Sequence, residues 1–375
     1  MKVAIIPHVG SAKGHLLRAI AIHRALLESA EFDSLLIVPE RARVFMQEFF
    51  PDISCKWVNW GFEHSNMLAV ARTIRQIRIV GRDLEETFDL FTPNLIIGIP
   101  GFESSSICRT FGVPHVSVLH GPWLIPEYVL APVDEEERAV LDAWERAIKL
   151  TDFGLKAVAS VLGKKYRGYP DWLEKEHVWV AQDFNVEYKN SRPKVGFLHA
   201  DFGPLADGEL PTDCLTVCLG TAIESDKMRL LNALSEENMP RLAVGGSEVH
   251  EVGIYWRPTL AATSMANISR VALTHGGIGT LAIFAEARVP QIFLPHDLDQ
   301  AVNAMLAQRS GFGTSIHLRY WKRRSPFGRK TPPFVDEELR QLVRRAANEL
   351  SPKVSAFDSI GAIQALAREV CARSK

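Results

Sequence analysis

A glycine-rich turn stands between two apolar segments of the sequence, at Thr274-His275-Gly276-Gly277-Ile278-Gly279-Thr280. The segment before it, Arg270 to Leu273, has the pattern of a buried strand, and the segment after it, Leu281 to Ala287, has that of a helix. The first amides of a helix have no intrahelical partner, and the helix dipole adds about half a positive charge there. Because glycines let a phosphate approach these amides closely, the turn predicts an anion site.

Side chains near the turn extend this prediction to a nucleotide sugar. His275 and Thr280 offer an imidazole and a hydroxyl to phosphate oxygens, and Glu286 follows nearly two helical turns later, from where its carboxylate is expected to reach a ribose. Farther along, Pro295-His296-Asp297-Leu298-Asp299-Gln300 ends in an acid and an amide that suit sugar hydroxyls. Taken alone, His275 and its glycines fit a tight turn with a packing histidine equally well.

Composition limits the class of protein. A chain of 375 residues corresponds to about two domains, and 47% apolar with 23% charged residues is typical of a globular protein with a sizeable core. The 43 basic and 44 acidic residues create no overall field that favours nucleic acid. An odd number of cysteines without zinc spacing, and no apolar run of about 20 residues, predict a cytoplasmic protein without a membrane span.

Short apolar runs alternate with amphipathic stretches along the chain, which predicts parallel sheets covered by helices. The pattern breaks in a segment rich in proline and glycine, between Ser191 and Pro211, and a second series begins at Leu215. We therefore expect Rossmann-like domains over residues 1–200 and 201–355, followed by a helix within 356–375. In such sheets a ligand binds in the cleft outside the carboxyl ends of the strands.

The run from Tyr255 to Ala304 resembles the donor-site signature of nucleotide-sugar glycosyltransferases with the GT-B fold, in which two Rossmann-like domains face each other across a cleft. The similarity is greatest to the UDP-glycosyltransferases of natural-product, antibiotic-type metabolism, with Arg288-Val289-Pro290 in place of their Gly-Val-Pro. The resemblance implies an α/β fold whose last helix crosses back onto the first domain. It also implies a nucleotide diphosphate sugar, UDP-linked, as co-substrate, with no metal and no other cofactor.

The resemblance also implies which residues form the donor site. Trp256, within Trp256-Arg257-Pro258, corresponds to a tryptophan that stacks on uracil, and Glu286 corresponds to the ribose carboxylate. Asp299 and Gln300 correspond to the sugar-binding pair. The implied donor-binding residues are Gly14, Gly220, Thr221, Trp256, His275, Gly276, Gly277, Gly279, Thr280, Glu286, Asp299, Gln300 and Asn303.

The acceptor side depends on Gly14 and His15, which resemble the Gly-His at the start of the first helix in many relatives, where the histidine is the general base. A histidine at a helix N-terminus is kept neutral by the dipole and can accept a proton, although a helix-capping role is the alternative. Many relatives orient this histidine with an aspartate, but here Glu103 is the nearest acid in the matching loop. Either Glu103 replaces it, or His15 acts alone, or the acceptor needs little deprotonation; His120 is a second candidate base.

The sequence favours inversion at the sugar carbon. Retaining GT-B enzymes carry a second glutamate farther along the donor signature, and the corresponding position counted from Glu286 is Leu294. Two other functions remain open: a UDP-sugar epimerase of the same fold, and a non-catalytic nucleotide-sugar-binding partner protein. The partners we expect are a nucleotide sugar and a small-molecule acceptor, with no nucleic acid.

A basic segment falls outside the regular pattern, between Arg319 and Lys330, and prolines follow it. Such a composition is typical of an exposed, solvated loop. It also fits a contact with an acidic acceptor or with a membrane surface. The sequence leaves the acceptor, the donor sugar and the oligomeric state open.

Overall fold

The computed structural model describes most of the chain, namely residues 1–8, 14–59, 83–100, 104–105, 111–129, 131–132, 134–161, 168–182, 184–206, 209–220, 224–235, 237, 239–245, 248–249, 253–316, 335–349 and 358–373. Glu103, Thr221 and the basic segment from Arg319 to Lys330 lie outside these residues. Their predicted roles therefore remain predictions.

Strands and helices alternate through both halves of the chain. The strands are β1 (Lys2–Pro7), β2 (Asp33–Pro39), β3 (Cys55–Val58), β4 (Leu95–Ile99), β5 (His115–Leu119), β6 (Val178–Val180), β7 (Cys214–Cys218), β8 (Arg241–Val244), β9 (Ile254–Arg257), β10 (Ser269–Thr274), β11 (Gln291–Phe293) and β12 (Gly313–Ser315). The helices are α1 (Gly14–Leu27), α2 (Arg43–Phe49), α3 (Glu135–Val161), α4 (Tyr169–Lys175), α5 (Glu224–Ala233), α6 (Ala262–Ile268), α7 (Ile278–Glu286), α8 (Leu298–Arg309), α9 (Asp336–Glu349) and α10 (Ser359–Arg373).

The strands form two six-stranded sheets with the same topology. Their orders are β3-β2-β1-β4-β5-β6 and β12-β11-β10-β7-β8-β9, and all the pairings between these strands are parallel. Counted from the first strand of each half, both orders are the doubly wound order of a Rossmann-like domain. The predicted fold class is therefore confirmed.

The central strands are buried on both faces, as parallel sheets require. Every residue of β4 and of β5 is buried, and so are the last five residues of β1. In both sheets the order reverses beside the first strand, at β1 with β4 and at β7 with β10. Ligands of such sheets bind at this reversal. His8 and His275 follow the strands that meet there, one in each domain.

One hydrophobic core joins the two domains. Buried side chains of the first domain, such as Leu119 and Val140, belong to the same cluster as Leu281, Ala301 and Val302 of the second. Helix α8 carries the last two of these, and its side chains face both its own sheet and the first domain. A large apolar interface restrains relative motion of two domains.

A buried ion pair strengthens this interface. Arg309, the last residue of α8, donates from Nε to Glu137 Oε1 of α3 at 2.8 Å, and its NH2 nitrogen donates to both Glu137 Oε2 and the Ala131 carbonyl oxygen. The Glu137 side chain is 4% exposed and that of Arg309 is 17% exposed. The Glu137 carboxylate is thus buried and paired with the Arg309 guanidinium.

The last helix packs on the first domain. Ile363, Ala367 and Cys371 of α10 are buried in the core of the first sheet, and Gln364 Nε2 donates to the Ala25 carbonyl oxygen of α1 at 2.8 Å. The crossing back that the resemblance implied is confirmed. The segment from Ser191 to Pro211 lies between β6 and β7, and the proposed domain boundary within it stays a prediction.

We predict that Arg309→Met lowers the free energy of unfolding by about 3–5 kcal/mol, because the substitution leaves the Glu137 carboxylate buried without its cation. Urea denaturation followed by circular dichroism measures the change. Lys149→Met is the matched control, since Lys149 pairs with Glu145 at the surface, where such pairs contribute about 1 kcal/mol or less. Equal midpoints for Arg309→Met and the unmodified chain would contradict the prediction.

Candidate functional site

The predicted anion-binding turn connects β10 to α7. Gly277 is the N-cap of α7 and has no side chain to satisfy the first amides of the helix, which therefore point out of the turn. Gly276 has a φ of +78°, and a Cβ there would lie 2.8 Å from the Gln300 carbonyl oxygen. Only glycine fits this position, where the turn packs tightly against the start of α8.

His275 is enclosed by the glycines of this turn and of the neighbouring strand. A Cβ on Gly220 would lie 2.9 Å from His275 Cε1, and one on Gly277 would overlap Nε2. The ring donates from Nδ1 to the Cys218 carbonyl oxygen at 3.3 Å, since a carbonyl only accepts. Burial lowers the pKa of His275, while the contacts with Cys218 and Asp297 oppose the shift. The unliganded ring is therefore neutral at pH 7, with its lone pair on Nε2.

The turn before α8 is held by its own side chains. Asp297 is the N-cap and accepts from the Gln300 amide nitrogen at 2.9 Å, while Gln300 Oε1 accepts from the His296 amide nitrogen at 2.8 Å. This arrangement resembles a capping box, except that the Gln300 side chain accepts from the residue before the N-cap rather than from the N-cap itself. The carbonyl end of the Gln300 side chain is thus engaged within the turn, and Asp299 follows the cap in the first turn of α8.

Asp299 is the acid of this turn that faces the first domain. Burial raises its pKa to about 7, with Asp297 adding to the shift and Arg18 of α1 opposing it. Asn303 Nδ2 lies 3.4 Å from Asp299 Oδ2, one helical turn farther on. This carboxyl group is therefore protonated more readily than a carboxyl group in water.

Three histidines meet on the first-domain side of the cleft. The rings of His8 and His15 have centroids 6.0 Å apart, and those of His15 and His120 are 5.8 Å apart. Arg18 NH1 donates to His15 Nδ1 at 3.2 Å. The structure thus brings the two predicted base candidates together, at the N-terminus of α1 and at the end of β5.

His120 is the more deeply buried of the two candidates. Its side chain is 2% exposed, and within the described part of the chain its Nδ1 has no hydrogen-bond partner. Burial lowers the pKa of His120 well below its ordinary value, and the nearby Arg18 and His15 lower it further. The ring is therefore neutral at working pH.

The loop after β5 is fixed by polar contacts. The Gly121 amide donates to Gln182 Oε1, and the Tyr128 hydroxyl donates to the Gly121 carbonyl oxygen at 3.0 Å. Gly121 also presses on the second domain, because a Cβ there would overlap Asn303 Oδ1. The buried Asn303 thus belongs to α8 and also contacts the loop that begins at His120.

Two predicted donor ligands lie farther from the turn. Trp256 is half-buried in β9, packs against the core of the second sheet and donates from Nε1 to the Gly245 carbonyl oxygen at 3.3 Å. Glu286 is the last residue of α7, about 9 Å along the helix from Thr280. Its side chain is 44% exposed, lies 3.7 Å from His199 Nδ1 and lines a cavity of about 300 Å³ next to α1 and α10. The ribose role of Glu286 remains untested.

The remaining predicted residues occupy helix starts at the cleft. Gly14 is the first residue of α1, and Gly279 with Thr280 stands in the first turn of α7. Among the residues that the structure describes, no group of three or more His, Cys, Asp or Glu is placed to hold a metal ion. The described helices include none that is long and apolar enough to cross a membrane.

Arg18 is the site residue that the sequence analysis missed. It lies on the buried face of α1, where its neighbours Leu16 and Ala19 are fully buried. The signal was present in the sequence as a charged residue on the apolar side of an amphipathic helix, one turn after His15. Its effect on Asp299 links the two domains across the cleft.

Comparison with known proteins gives a fold and little sequence similarity. No protein-family model matches the chain, and no curated protein matches its sequence. Several solved structures align along the whole length of this chain. They include the spinosyn forosaminyltransferase SpnP, at 16% identity, 95% of that chain and a TM-score of 0.64. The calicheamicin glycosyltransferase CalG4 matches at 15% identity, 94% and 0.64, and VinC in complex with dTDP at 14%, 95% and 0.59.

At such low sequence identity, the structural matches establish the fold alone. The similar structures are glycosyltransferases whose two facing domains match the pair of parallel six-stranded sheets described above. The resemblance seen in the donor-site sequence is thus confirmed at the level of the fold. The chain has the GT-B fold of the natural-product glycosyltransferases.

Proposed function

We propose that this chain transfers a sugar from a nucleotide diphosphate sugar to a small-molecule acceptor, with inversion and without a metal. One observation carries the proposal: the open N-terminus of α7, with His275 beside it, belongs to the second domain, and the clustered rings of His8, His15 and the buried His120 belong to the facing side of the first. A group that receives a leaving anion and a group that receives a proton are the two requirements of this reaction. The solved structures of similar fold are named as glycosyltransferases, which supports the same reaction class.

The leaving diphosphate would bind at the α7 turn. The free amides after Gly277 and the dipole of α7 stabilise the negative charge that grows as the glycosidic bond breaks. The Nδ1–H group of His275 donates to the Cys218 carbonyl oxygen. A second proton, on Nε2, would therefore face the phosphates. This donor set neutralises the diphosphate without a cation from solution. VinC holds dTDP, so both UDP and dTDP are tested as the nucleotide.

The sugar would lie between α8 and the first domain. Asp299 and the side-chain nitrogen Nε2 of Gln300 are polar groups there that suit ring hydroxyls. A buried carboxyl with a pKa of about 7 accepts hydrogen bonds best when the sugar hydroxyls stabilise its charged form. Asn303, beneath Gly121, completes this side.

The acceptor would enter from the first domain, where His15 and His120 are the candidate proton acceptors. In the step itself, the acceptor oxygen forms a bond to the sugar carbon while the bond to the phosphate oxygen breaks. The diphosphate leaves with the electron pair, and the acceptor proton passes to a neutral imidazole nitrogen. Glu103, which we proposed as an orienting acid, retains that role only as a hypothesis.

A cytoplasmic location is also part of the proposal. Within the described part of the chain, Cys55, Cys214 and Cys218 are free thiols. Unpaired cysteines are typical of proteins in a reducing compartment.

We predict that His275→Ala lowers turnover by about 10²–10³-fold, because it removes a donor to the leaving diphosphate in a low-dielectric cleft. Mass spectrometry of products from a pooled acceptor library, with UDP- and dTDP-linked sugars as donors, supplies the assay. His177→Ala, at an exposed position, is the control. Unchanged turnover in His275→Ala would refute the donor site. Formation of an unlinked epimer would instead identify an epimerase, and binding without turnover would identify a non-catalytic partner protein.

We predict that nucleotide diphosphate binding takes up a proton near pH 7. Burial keeps the pKa of free His275 below its ordinary value of 6.5, and a bound diphosphate raises it by favouring the charged ring. Affinity is thus greatest below the free pKa and falls as pH rises through the interval between the two values. Calorimetry in two buffers of different ionisation enthalpy measures the uptake, which His275→Asn should abolish. Proton release by both proteins would contradict this assignment.

We predict that Asp299→Asn weakens binding of a nucleotide sugar about tenfold or more while affinity for the free nucleotide diphosphate changes less than about threefold. The reason is that a carboxylate accepts charge-assisted hydrogen bonds from sugar hydroxyls, and it does not contact the nucleotide. Calorimetric titration with each ligand separates the two effects. Equal losses for both ligands would place Asp299 outside the sugar subsite.

A further inference from the structure

Arg18 is a buried cation in the cleft between the domains. Its side chain is 3% exposed, and burial lowers the pKa of its guanidinium to about 10, so it stays charged at pH 7. A charge in such a place needs partners. The described contacts provide His15 on its own helix and, across the cleft, the electrostatic influence of Asp299.

The contact with His15 fixes where the proton of that ring lies. A guanidinium only donates hydrogen bonds, so His15 Nδ1 must be the acceptor of the 3.2 Å contact with Arg18 NH1. The proton of the neutral imidazole is then on Nε2. A carboxylate in the place of Arg18 would produce the opposite form, because it accepts from Nδ1 and leaves Nε2 with the lone pair.

This form of His15 does not suit a general base. The nitrogen with the lone pair is occupied by Arg18, and the other nitrogen already carries a proton. Taking the acceptor's proton on Nδ1 would break the contact and place an imidazolium beside a buried guanidinium. Donation from Nε2 keeps both groups satisfied.

His120 has the complementary state. It is neutral, its ring centroid lies 5.8 Å from that of His15, and its buried Nδ1 has no partner within the described part of the chain. Among the residues that the structure describes, His8 after β1 contacts the His15 ring, and Arg18 of α1 acts on both rings, while Asp299 of α8 acts on Arg18. A neutral imidazole always retains one nitrogen that can accept a proton.

We propose that Arg18 is a positioning residue that fixes the proton of His15 on Nε2, so that His15 donates to the acceptor oxygen and His120 receives the acceptor's proton. The inference rests on the proposed sugar transfer. In the balanced step, the acceptor O–H bond breaks and its proton bonds to a nitrogen of His120. The oxygen bonds to the sugar carbon, and the nucleotide diphosphate leaves with the electron pair.

The proton position is tested by nitrogen NMR of the full chain labelled with ¹⁵N-histidine. The His15 signals are identified by their loss in His15→Gln. We expect the Nε2–H form in the unmodified chain, a shift away from it in Arg18→Met, and its return in Arg18→Lys, because a lysine ammonium can also donate to Nδ1. Finding the Nδ1–H form in the unmodified chain would overturn the inference.

The division of roles is tested by kinetics. His15→Gln should retain turnover within about tenfold, because an amide can accept from Arg18 and donate onward. His120→Gln should lower turnover by about 10²–10⁴-fold, since it removes the proton acceptor. His23→Gln is the control on the same helix, where His23 contacts Ser34 Oγ at 2.9 Å outside the cleft, and should leave turnover unchanged. A loss in His15→Gln as large as that in His120→Gln would overturn the proposal.

Failure of this inference is distinguishable from failure of the proposed function. The NMR measurement needs no substrate, so it judges the Arg18–His15 contact even if no donor supports transfer. Circular dichroism of each variant identifies any that does not fold. If Arg18→Met is unfolded, the proton position in the unmodified chain still decides the NMR test, and if His15→Gln is unfolded, His15→Asn, which keeps an acceptor at 15, replaces it in the kinetic comparison.

Discussion

The apolar contact between helix α8 and the first domain places the two halves of the site. Leu298, Ala301 and Val302 belong to the same buried cluster as Leu119 and Leu124, so the helix that carries Asp299 and Asn303 is held beneath the loop that follows β5. The hydrophobic effect is non-directional, so it does not by itself fix how the two domains are oriented. The orientation is restrained at Gly121, which approaches Asn303 so closely that no side chain would fit between them. The relative position of the two domains thus follows from the buried cluster that they share.

Few full charges remain in this cleft. His275 and His120 are neutral because burial lowers the pKa of each, and burial raises the pKa of Asp299. Among the described residues, Arg18 is a cation on the opposite side. In the function that we propose, a bound diphosphate would interact strongly, in a region of low dielectric, with the amides of α7 and with any proton that His275 takes up. Because the described groups of the site carry few charges before binding, the site suits a ligand that brings its own negative charge.

The sequence predicted the centre of each sheet better than its edges. Strands β1, β4, β5, β7 and β10 are five or six residues long and contain at least three apolar residues each. Strands β3, β6, β9 and β12 have three or four residues each and lie at the sheet edges, and they are too short for a periodicity to develop. The anion turn was predicted because glycine requirements are local. The partner of His15 was sought in a loop after β4, but Arg18 lies one helical turn away on α1. Counting residues along α7 likewise predicted that Glu286 lies near the ligand. The direction of the Glu286 side chain depends on packing beside His199, which residue counting does not show.

Helix α10 has a consequence for synthesis. Its residues Ile363, Ala367 and Cys371 fill the core beneath α1, the helix that begins at Gly14 and carries His15. Domains generally fold as units while the chain emerges from the ribosome, the N-terminal one first. Here the first domain emerges without part of its core, and the part of the α1 surface that α10 covers stays exposed until the second domain has been translated. The domain that carries His15 is therefore complete only after the second domain has emerged.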